Sequence, residues 1–336
     1  MDSIPPILGE PLPRCLLIAT GGTIAMKIDP VKRAPVPALS GEDLLSSVPA
    51  LARLARLEVR NLSNVPSDHM NPARWLALRR AVAQTLRRDD IAGVVVSHGT
   101  DTLEETAWFL DLTVAGPKPV VLVGAQRNAS APDFDGPGNL LSAVRVCVSP
   151  QARDKGAMIV LNQQVHAARE ATKTHTSSVE SFKSGDFGFL GTVDDDRVVF
   201  SRAPTRRQHL PAGPGPLPRV DIVAMYGGAD GALLRAAADH GARGIVVQAL
   251  GLGNVGIEMH RAIKEVIRQG VCVVISTRVP HGRVRPVYGF AGGGQTLKEA
   301  GALFADDLSP QKARILLMLA LQAPRAPDEI QRLFDQ

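Results

Sequence analysis

The sequence predicts a two-domain α/β protein: a larger N-terminal domain with a mainly parallel sheet and flanking helices, then a smaller C-terminal α/β domain. Three observations lead there. Short aliphatic runs, such as LLIA at 16–19, VVV at 94–96 and IVL at 159–161, alternate with segments of helical period, the pattern of strands buried on both faces. The alternation collapses over residues 201–219, SRAPTRRQHLPAGPGPLPR, whose last ten residues hold four prolines and two glycines, and then resumes. The length of 336 residues suits one large or two medium domains with proper cores. The expected division is an N-terminal domain over 1–202, a linker over 203–219 and a C-terminal domain over 220–336.

Composition narrows the function. Hydrophobic residues make up 45% and charged residues 21%, the profile of a soluble globular chain. Aromatics are only 4%, so packing must rest on Val, Leu, Ile and Ala. The net charge of +5 comes largely from dispersed arginines, with no basic tract interleaved with aromatics, which argues against a nucleic-acid partner. No apolar run is long enough to span a bilayer, and the N-terminus does not read as a signal peptide, so a cytoplasmic location is expected. Cys15, Cys147 and Cys272 lie in or beside aliphatic runs and read as reduced core thiols. Without CxxC or HExxH, a metal site has no support.

In chain order, residues 1–13 are proline-rich and read as an extended arm. A strand at 15–19 runs into Thr-Gly-Gly-Thr, a turn too tight for side chains. Residues 27–40 carry three prolines and several charges and read as a loop without structure. Ser40 with Glu42 and Asp43 marks a helix start. A strand at 57–62 ends in the polar loop SNVPSDHMN, and 72–87 has helical spacing with Trp75, Leu78, Val82 and Leu86 on one face. A strand at 93–97 leads through SHGTDT to a helix from about Leu103, where Thr102 and Glu105 fit a capping box. A strand ending in a glycine turn over 119–128, a turn and helix over DGPGNLLSAVRVCVS and a strand over 157–165 follow. Beyond the linker come a strand from 220, a helix near 232, a strand at 244–250, a helix at 257–269, a strand at 272–277 and a final helix from Pro310.

Two hydroxyl turns are the main candidates for chemistry: TGGT at 20–23 and SHGTDT at 97–102. Both follow buried strands, so both should open at one edge of the sheet, where α/β folds place ligands. A nucleophilic threonine needs a group to take its proton and donors for the oxyanion. Thr20 is the candidate nucleophile; Thr100, Asp101 and Lys173, which follows the strand at 157–165, are candidate partners. Each residue also has an ordinary reading as a turn cap, a backbone acceptor or a solvated cation. His98 reads as a structural hydrogen-bonder, and the Asp194–Asp196 run as a solvated turn. GLGNVG at 251–256 is a GxGxxG between a strand and a helix, the context of a dinucleotide-binding turn. The acid expected after the next strand is replaced by Ser276, Thr277 and Arg278, so a tight packing turn is the competing reading.

TGGTIAM, SHGTDTLEETAWFLDLT, PVVLVGAQR, DGPGNL, REATKTHTSS and SPQKARILLMLAL resemble the bacterial L-asparaginases of the two-domain, threonine-nucleophile type, from about Cys15 to the C-terminus. The resemblance implies hydrolysis of L-asparagine to L-aspartate and ammonia without a cofactor, in a homotetramer built from intimate dimers. It gives Thr20 the role of nucleophile, with Thr100, Asp101 and Lys173 as the second threonine, the aspartate and the lysine. Asp101 would also hold the α-amino group, Ser67 the α-carboxylate, and Gly99 would line the substrate site. Asp68 stands where the family often has Gln or Glu.

Two departures stand out. The family's mobile loop carries a tyrosine that contacts the nucleophile, whereas residues 27–40 contain none; the only tyrosines are Tyr226 and Tyr288, leaving Lys27, Lys32 and Arg33 available by composition. The C-domain loop that often offers a glutamate reads VPHGRVRPVYG, with Arg283 and Arg285 and no acid. The alternatives are a hydrolase of another small dicarboxylate-type amide, a small-molecule sensor that lost turnover, and an NADP-binding oxidoreductase using Gly251–Gly256.

Overall fold

A computed structural model describes residues 11–336; the arm expected at the N-terminus lies, up to residue 10, outside the described residues. The described residues divide into two compact units, the first ending at His209 and the second beginning at Leu210.

In the first unit, β1 (Arg14–Gly21) is buried from Cys15 onward. It is followed by β2 (Met26–Asp29), β3 (Ala34–Pro37), α1 (Gly41–Ser46), β4 (Arg56–Val65), α2 (Pro72–Leu86), β5 (Ile91–Ser97) and α3 (Leu103–Thr113). Then come β6 (Val120–Val123), α4 (Gly136–Val148), β7 (Ala157–Leu161), β8 (Gln164–Ala167), β9 (Thr172–Lys173), β10 (Phe182–Lys183), β11 (Gly191–Val193) and β12 (Val198–Phe200). One eight-stranded sheet has the order β12-β11-β8-β7-β6-β5-β1-β4. The five strands from β7 to β4 are parallel; β8, β11 and β12 extend the sheet antiparallel. The sheet is buried on both faces. Leu17, Val95, Val121, Val123 and Val160 share a core with Leu140, Ala143 and Val144 of α4. The alternate residues Leu16, Ile18, Val94, Val96 and Leu122 are equally buried. Crossover helices cover such sheets, which is why the strands read as continuous apolar runs. Cys15 and Cys147 are buried thiols with their sulfurs 3.0 Å apart.

Four sequence expectations are corrected here. Residues 27–40 are not an unstructured loop: β2 and β3 pair as an antiparallel hairpin, Met26 opposite Pro37. The Asp29 carboxylate accepts from the Val31 and Lys32 amides, and Arg33 takes φ 52° to close the turn. Its prolines broke the strand pattern in the sequence, but a two-stranded ribbon tolerates proline because half its amides need no partner. Residues 157–165 are not one strand but the hairpin β7–β8, with Asn162 and Gln163 at φ 48° and 60° as a two-residue turn. Without a glycine in it, that turn has no strong sequence signal. The capping box at Thr102 is absent; its hydroxyl donates instead to the Ser67 carbonyl at 2.7 Å. The expected capping chemistry occurs at α1, where Ser40 and Asp43 cap each other reciprocally.

The second unit contains β13 (Val220–Ala224), α5 (Ala232–Asp239), β14 (Gly244–Ala249), α6 (Ile257–Arg268), β15 (Cys272–Thr277), α7 (Gly294–Glu299), β16 (Leu303–Phe304), α8 (Pro310–Ala320) and α9 (Pro327–Phe334). Its four strands are parallel in chain order. The fourth correction lies here: α8 is not the final helix. On α9, the Gln331 side chain accepts from the Phe304 amide at 2.8 Å and donates to the Phe304 carbonyl at 3.0 Å. That side-chain amide pairs with the edge strand as another strand would, which closes an otherwise open edge.

Candidate active site

Residue types at the strand ends decide how this site is built. Parallel strands deliver the loops after β1, β4 and β5 to one edge, and β1 lies between the other two. Gly21 and Gly22 sit at φ 108° and 87°, where side chains are strained. A Cβ on Gly22 would meet the Gly99 nitrogen at 2.1 Å, and one on Gly99 would meet the Ser67 hydroxyl at 2.8 Å. The two hydroxyl turns are therefore in backbone contact, and the loop after β4 packs on the second of them.

Thr20 is 3% exposed, and its hydroxyl donates to the Ser97 carbonyl at 2.7 Å. Its own carbonyl accepts from the Ser63 hydroxyl at 3.0 Å. A carbonyl cannot take a proton, so the bond to Ser97 fixes the oxygen's place while both its lone pairs stay available. The β-hairpin at 26–37 exposes Lys27, Lys32 and Arg33 to solvent.

The second turn carries charge. Lys173 Nζ donates to Thr100 Oγ1 at 2.8 Å and to Asp101 Oδ1 at 2.6 Å. Thr100 is buried, 4% exposed, while the Asp101 side chain reaches solvent and has a second carboxylate oxygen for another partner. The Lys173 amide donates to Glu104 Oε2 at 3.1 Å, so the first turn of α3 holds the two-residue strand β9 in place. Ser67 is buried, and its hydroxyl accepts from the Asp101 amide at 3.2 Å. That leaves its own hydrogen free to be donated.

The structure thus joins Thr100, Asp101 and Lys173 by direct bonds, ties Ser67 and Gly99 to them, and sets the Thr20 turn against Gly99. Asp68 stands apart: its side chain is 68% exposed and its ion contact is with its neighbour His69, at 3.9 Å. Arg283 forms an ion pair with Asp306 inside the second unit. Three residues with roles here were absent from the sequence candidates. Glu104 looks like any acid near a helix start, and Thr106 and Trp75 like helix-face residues.

His98 is fully buried. Its Nδ1 lies 2.7 Å from the Gly99 carbonyl and its Nε2 2.9 Å from the Thr106 hydroxyl, which also accepts from Trp75 Nε1 at 2.9 Å. Burial pushes its pKa down to about 4, so the imidazole is neutral at neutral pH. A cavity of about 350 Å³ beside β1 is lined by residues including Gly21, Ser40, Asp43 and Asn61, with none of Thr20, Thr100, Asp101 or Lys173 on its wall. Ser40 and Asp43 are already used in the cap of α1.

In the second unit GLGNVG forms a turn between β14 and α6, closed by a bridge between Leu250 and Asn254. A Cβ on Gly253 would press on Ile275 at 3.1 Å, and one on Gly256 on Met225 at 3.0 Å. The Thr277 hydroxyl donates back to the Gly251 carbonyl at 2.8 Å. These contacts use the glycines for packing.

Comparison with known proteins agrees with this architecture. Residues 14–206 match the family model for the asparaginase N-terminal domain, and residues 219–334 that for the glutaminase/asparaginase C-terminal domain. L-asparaginase 2 of Bacillus subtilis (strain 168) is 39% identical over 334 residues, covering 97% of this chain and 87% of that protein. A probable L-asparaginase of Deinococcus radiodurans is 39% identical over 336 residues, covering 97% of this chain and 98% of that one. A crystal structure of a probable cytoplasmic L-asparaginase from Campylobacter jejuni superimposes with a TM-score of 0.88 at 37% identity, covering 96% of this chain and 99% of that one. Matched in both its domains, the chain belongs to the asparaginase family of amidohydrolases.

Proposed function

We propose that the chain hydrolyses L-asparagine to L-aspartate and ammonia through an acyl-enzyme on Thr20. The observation that carries this reading is the bonded group Lys173–Thr100–Asp101, set on a turn whose Gly99 touches the Gly22 turn of Thr20. Thr20 Oγ1 attacks the side-chain amide carbon, its proton passes to the amide nitrogen, and ammonia leaves. Water then attacks the ester, passing a proton to Thr100 Oγ1 while the Thr100 hydroxyl proton moves on to Thr20 Oγ1. The ester C–O bond breaks and aspartate leaves, with the Lys173 ammonium, held by Asp101, stabilising the negative charge that develops on Thr100. Ser67 donates its free hydrogen to the α-carboxylate, beside the Gly99 backbone, and the open carboxylate oxygen of Asp101 accepts from the α-ammonium. The steps use side chains alone.

Asp68 makes its ion contact with His69 and none with the Lys173–Thr100–Asp101 group, so Asp101 is the carboxylate assigned to the α-ammonium. This favours, as a second reading, an amide of the same dicarboxylate type without the α-amino group. Ammonia release from asparagine, glutamine and such a des-amino amide separates the two. Turnover of asparagine that disappears in Thr20→Ala supports the first; turnover confined to the des-amino amide supports the second. Binding without turnover would instead indicate a sensor.

The family relationship also supports a homotetramer of intimate dimers, which light scattering tests directly. Among the described residues no helix is long and apolar enough to cross a membrane. With the probable cytoplasmic relative from Campylobacter jejuni, that supports a cytoplasmic location; cell fractionation is the check.

A further inference from the structure

The loop after β5 gives each of four consecutive residues one task. The Ser97 carbonyl takes the Thr20 hydroxyl, Gly99 touches Gly22, and Thr100 takes the Lys173 ammonium. The remaining residue, His98, is buried, and its side chain bonds no group of the catalytic cluster.

Its hydrogen bonds nevertheless have a fixed direction. The Gly99 carbonyl can only accept, so His98 Nδ1 carries the hydrogen at 2.7 Å. A neutral imidazole then offers Nε2 as an acceptor, and the Thr106 hydroxyl donates to it at 2.9 Å. The Thr106 oxygen in turn accepts from the Trp75 indole N–H, which can only donate. The order Trp75→Thr106→His98→Gly99 follows from donor chemistry alone, with every member satisfied.

The chain ends on one peptide bond. Among the described residues no peptide is cis, so the Gly99 carbonyl and the Thr100 amide point in opposite directions. Holding the carbonyl towards the buried imidazole turns the Thr100 N–H the other way. Thr100 opens a 3₁₀ turn, so that amide has no acceptor within the turn. The Gly99 nitrogen and Cα meanwhile lie where a Cβ on Gly22 would fall. The peptide before Gly99 thus lies against the Thr20 turn and the peptide after it leads into Thr100, and the two share the Gly99 Cα.

We propose that His98 is a positioning residue, which, as the Nδ1–H tautomer held by Thr106 and Trp75, fixes the Gly99–Thr100 peptide and through it the placement of Thr100 against Thr20. Its link to catalysis rests on the Thr20 reading above. An imidazole that merely filled space would have no required tautomer.

The test combines ¹⁵N NMR of the His98 ring with steady-state kinetics on the full chain. The spectrum should show hydrogen on Nδ1 at neutral pH; hydrogen on Nε2 overturns the proposal. His98→Ala should lower kcat about 100-fold, the scale expected when a catalytic group shifts by about 1 Å, with KM changed less than about threefold. His98→Asn, whose side-chain amide can occupy the Nδ1 place, should recover about tenfold of that loss. Should His98→Ala fail to fold, Thr106→Val removes the donor to Nε2 at nearly equal volume and should shift the tautomer population and lower kcat about tenfold. A lowered melting temperature with kcat unchanged would overturn the positioning role. Wild-type protein that releases no ammonia would defeat the Thr20 reading instead, and the tautomer would still decide the hydrogen-bond order.

Discussion

The two hydroxyl turns end neighbouring parallel strands of one sheet, yet they are built differently. The Thr20 turn holds its hydroxyl by a single bond to a backbone carbonyl and closes on two glycines with positive φ. The Thr100 turn uses one glycine with an ordinary φ of −76° and bonds its hydroxyl to a lysine that also holds an aspartate. One turn presents a hydroxyl through backbone shape; the other presents one through charge. In the proposed reaction that difference divides the labour: Thr20 becomes acylated and the Thr100 group moves protons. A sheet edge can separate these tasks because adjacent strands hold their ends at fixed spacing whatever the loops contain.

Removing each hydroxyl's particular support should have unequal effects. Thr20→Ala should lower kcat by about 10⁴-fold or more, because loss of a nucleophile removes the covalent path altogether. The measure is ammonia release from asparagine, with circular dichroism to verify folding. Lys173→Met should lower kcat by about 10³-fold, within the span of a lost acid–base group, and leave a Thr20 adduct still able to form. Equal losses in the two variants, with no adduct in either, would erase the division of tasks.

Protonation probes the buried support of the Thr100 turn. The His98 pKa is pushed down to about 4 by burial, from about 6.5 in the unfolded chain. Between those values the unfolded state binds the extra proton, so stability contributed by neutral His98 is full above pH 6.5 and falls as the pH drops towards 4. The loss should total about 3 kcal/mol. Denaturant titrations against pH for wild type and His98→Asn measure it as the difference between the two curves.

The smallest contrast concerns the glycines. A Cβ at Gly22 would strike backbone at 2.1 Å from a residue at φ 87°, whereas one at Gly99 would strike the Ser67 side-chain hydroxyl at 2.8 Å. Gly22→Ala should therefore cost about 3 kcal/mol and Gly99→Ala about 2 kcal/mol, since both meet fixed atoms (Ser67 Cβ at 2.9 Å and Gly22 Cα at 3.0 Å for Gly99) but only Gly22 adds the strain of a positive φ. Chemical denaturation of both variants tests the order; a larger loss at Gly99 would mean that the second turn is the stiffer one.

Much of the fold is legible in the sequence because buried parallel strands announce themselves. The aliphatic runs containing Leu17, Val95 and Val121 have no competing interpretation. The hairpins were harder. The β2–β3 ribbon is exposed and carries prolines, and the β7–β8 turn uses Asn162 and Gln163 without a glycine, so neither gives the expected period or turn signal. At the site, Thr20, Thr100, Asp101 and Lys173 stood out through turn context and family resemblance. That Lys173 bonds Thr100 across 73 positions of sequence is a product of topology alone. So is the role of Glu104, which sequence presents as one of two adjacent acids in α3. Residues 27–40 contain no tyrosine, and among the described residues the hydrogen bond of the Thr20 hydroxyl goes to the Ser97 carbonyl, not to the hairpin.

The division of tasks is tested most directly by acid-quenching Lys173→Met during turnover of L-asparagine and mapping its peptides by mass spectrometry. An aspartyl ester on the peptide containing Thr20, absent when Thr20→Ala is added, is the expected result. An ester on the peptide containing Thr100, or asparagine turnover that survives in Thr20→Ala, would contradict it.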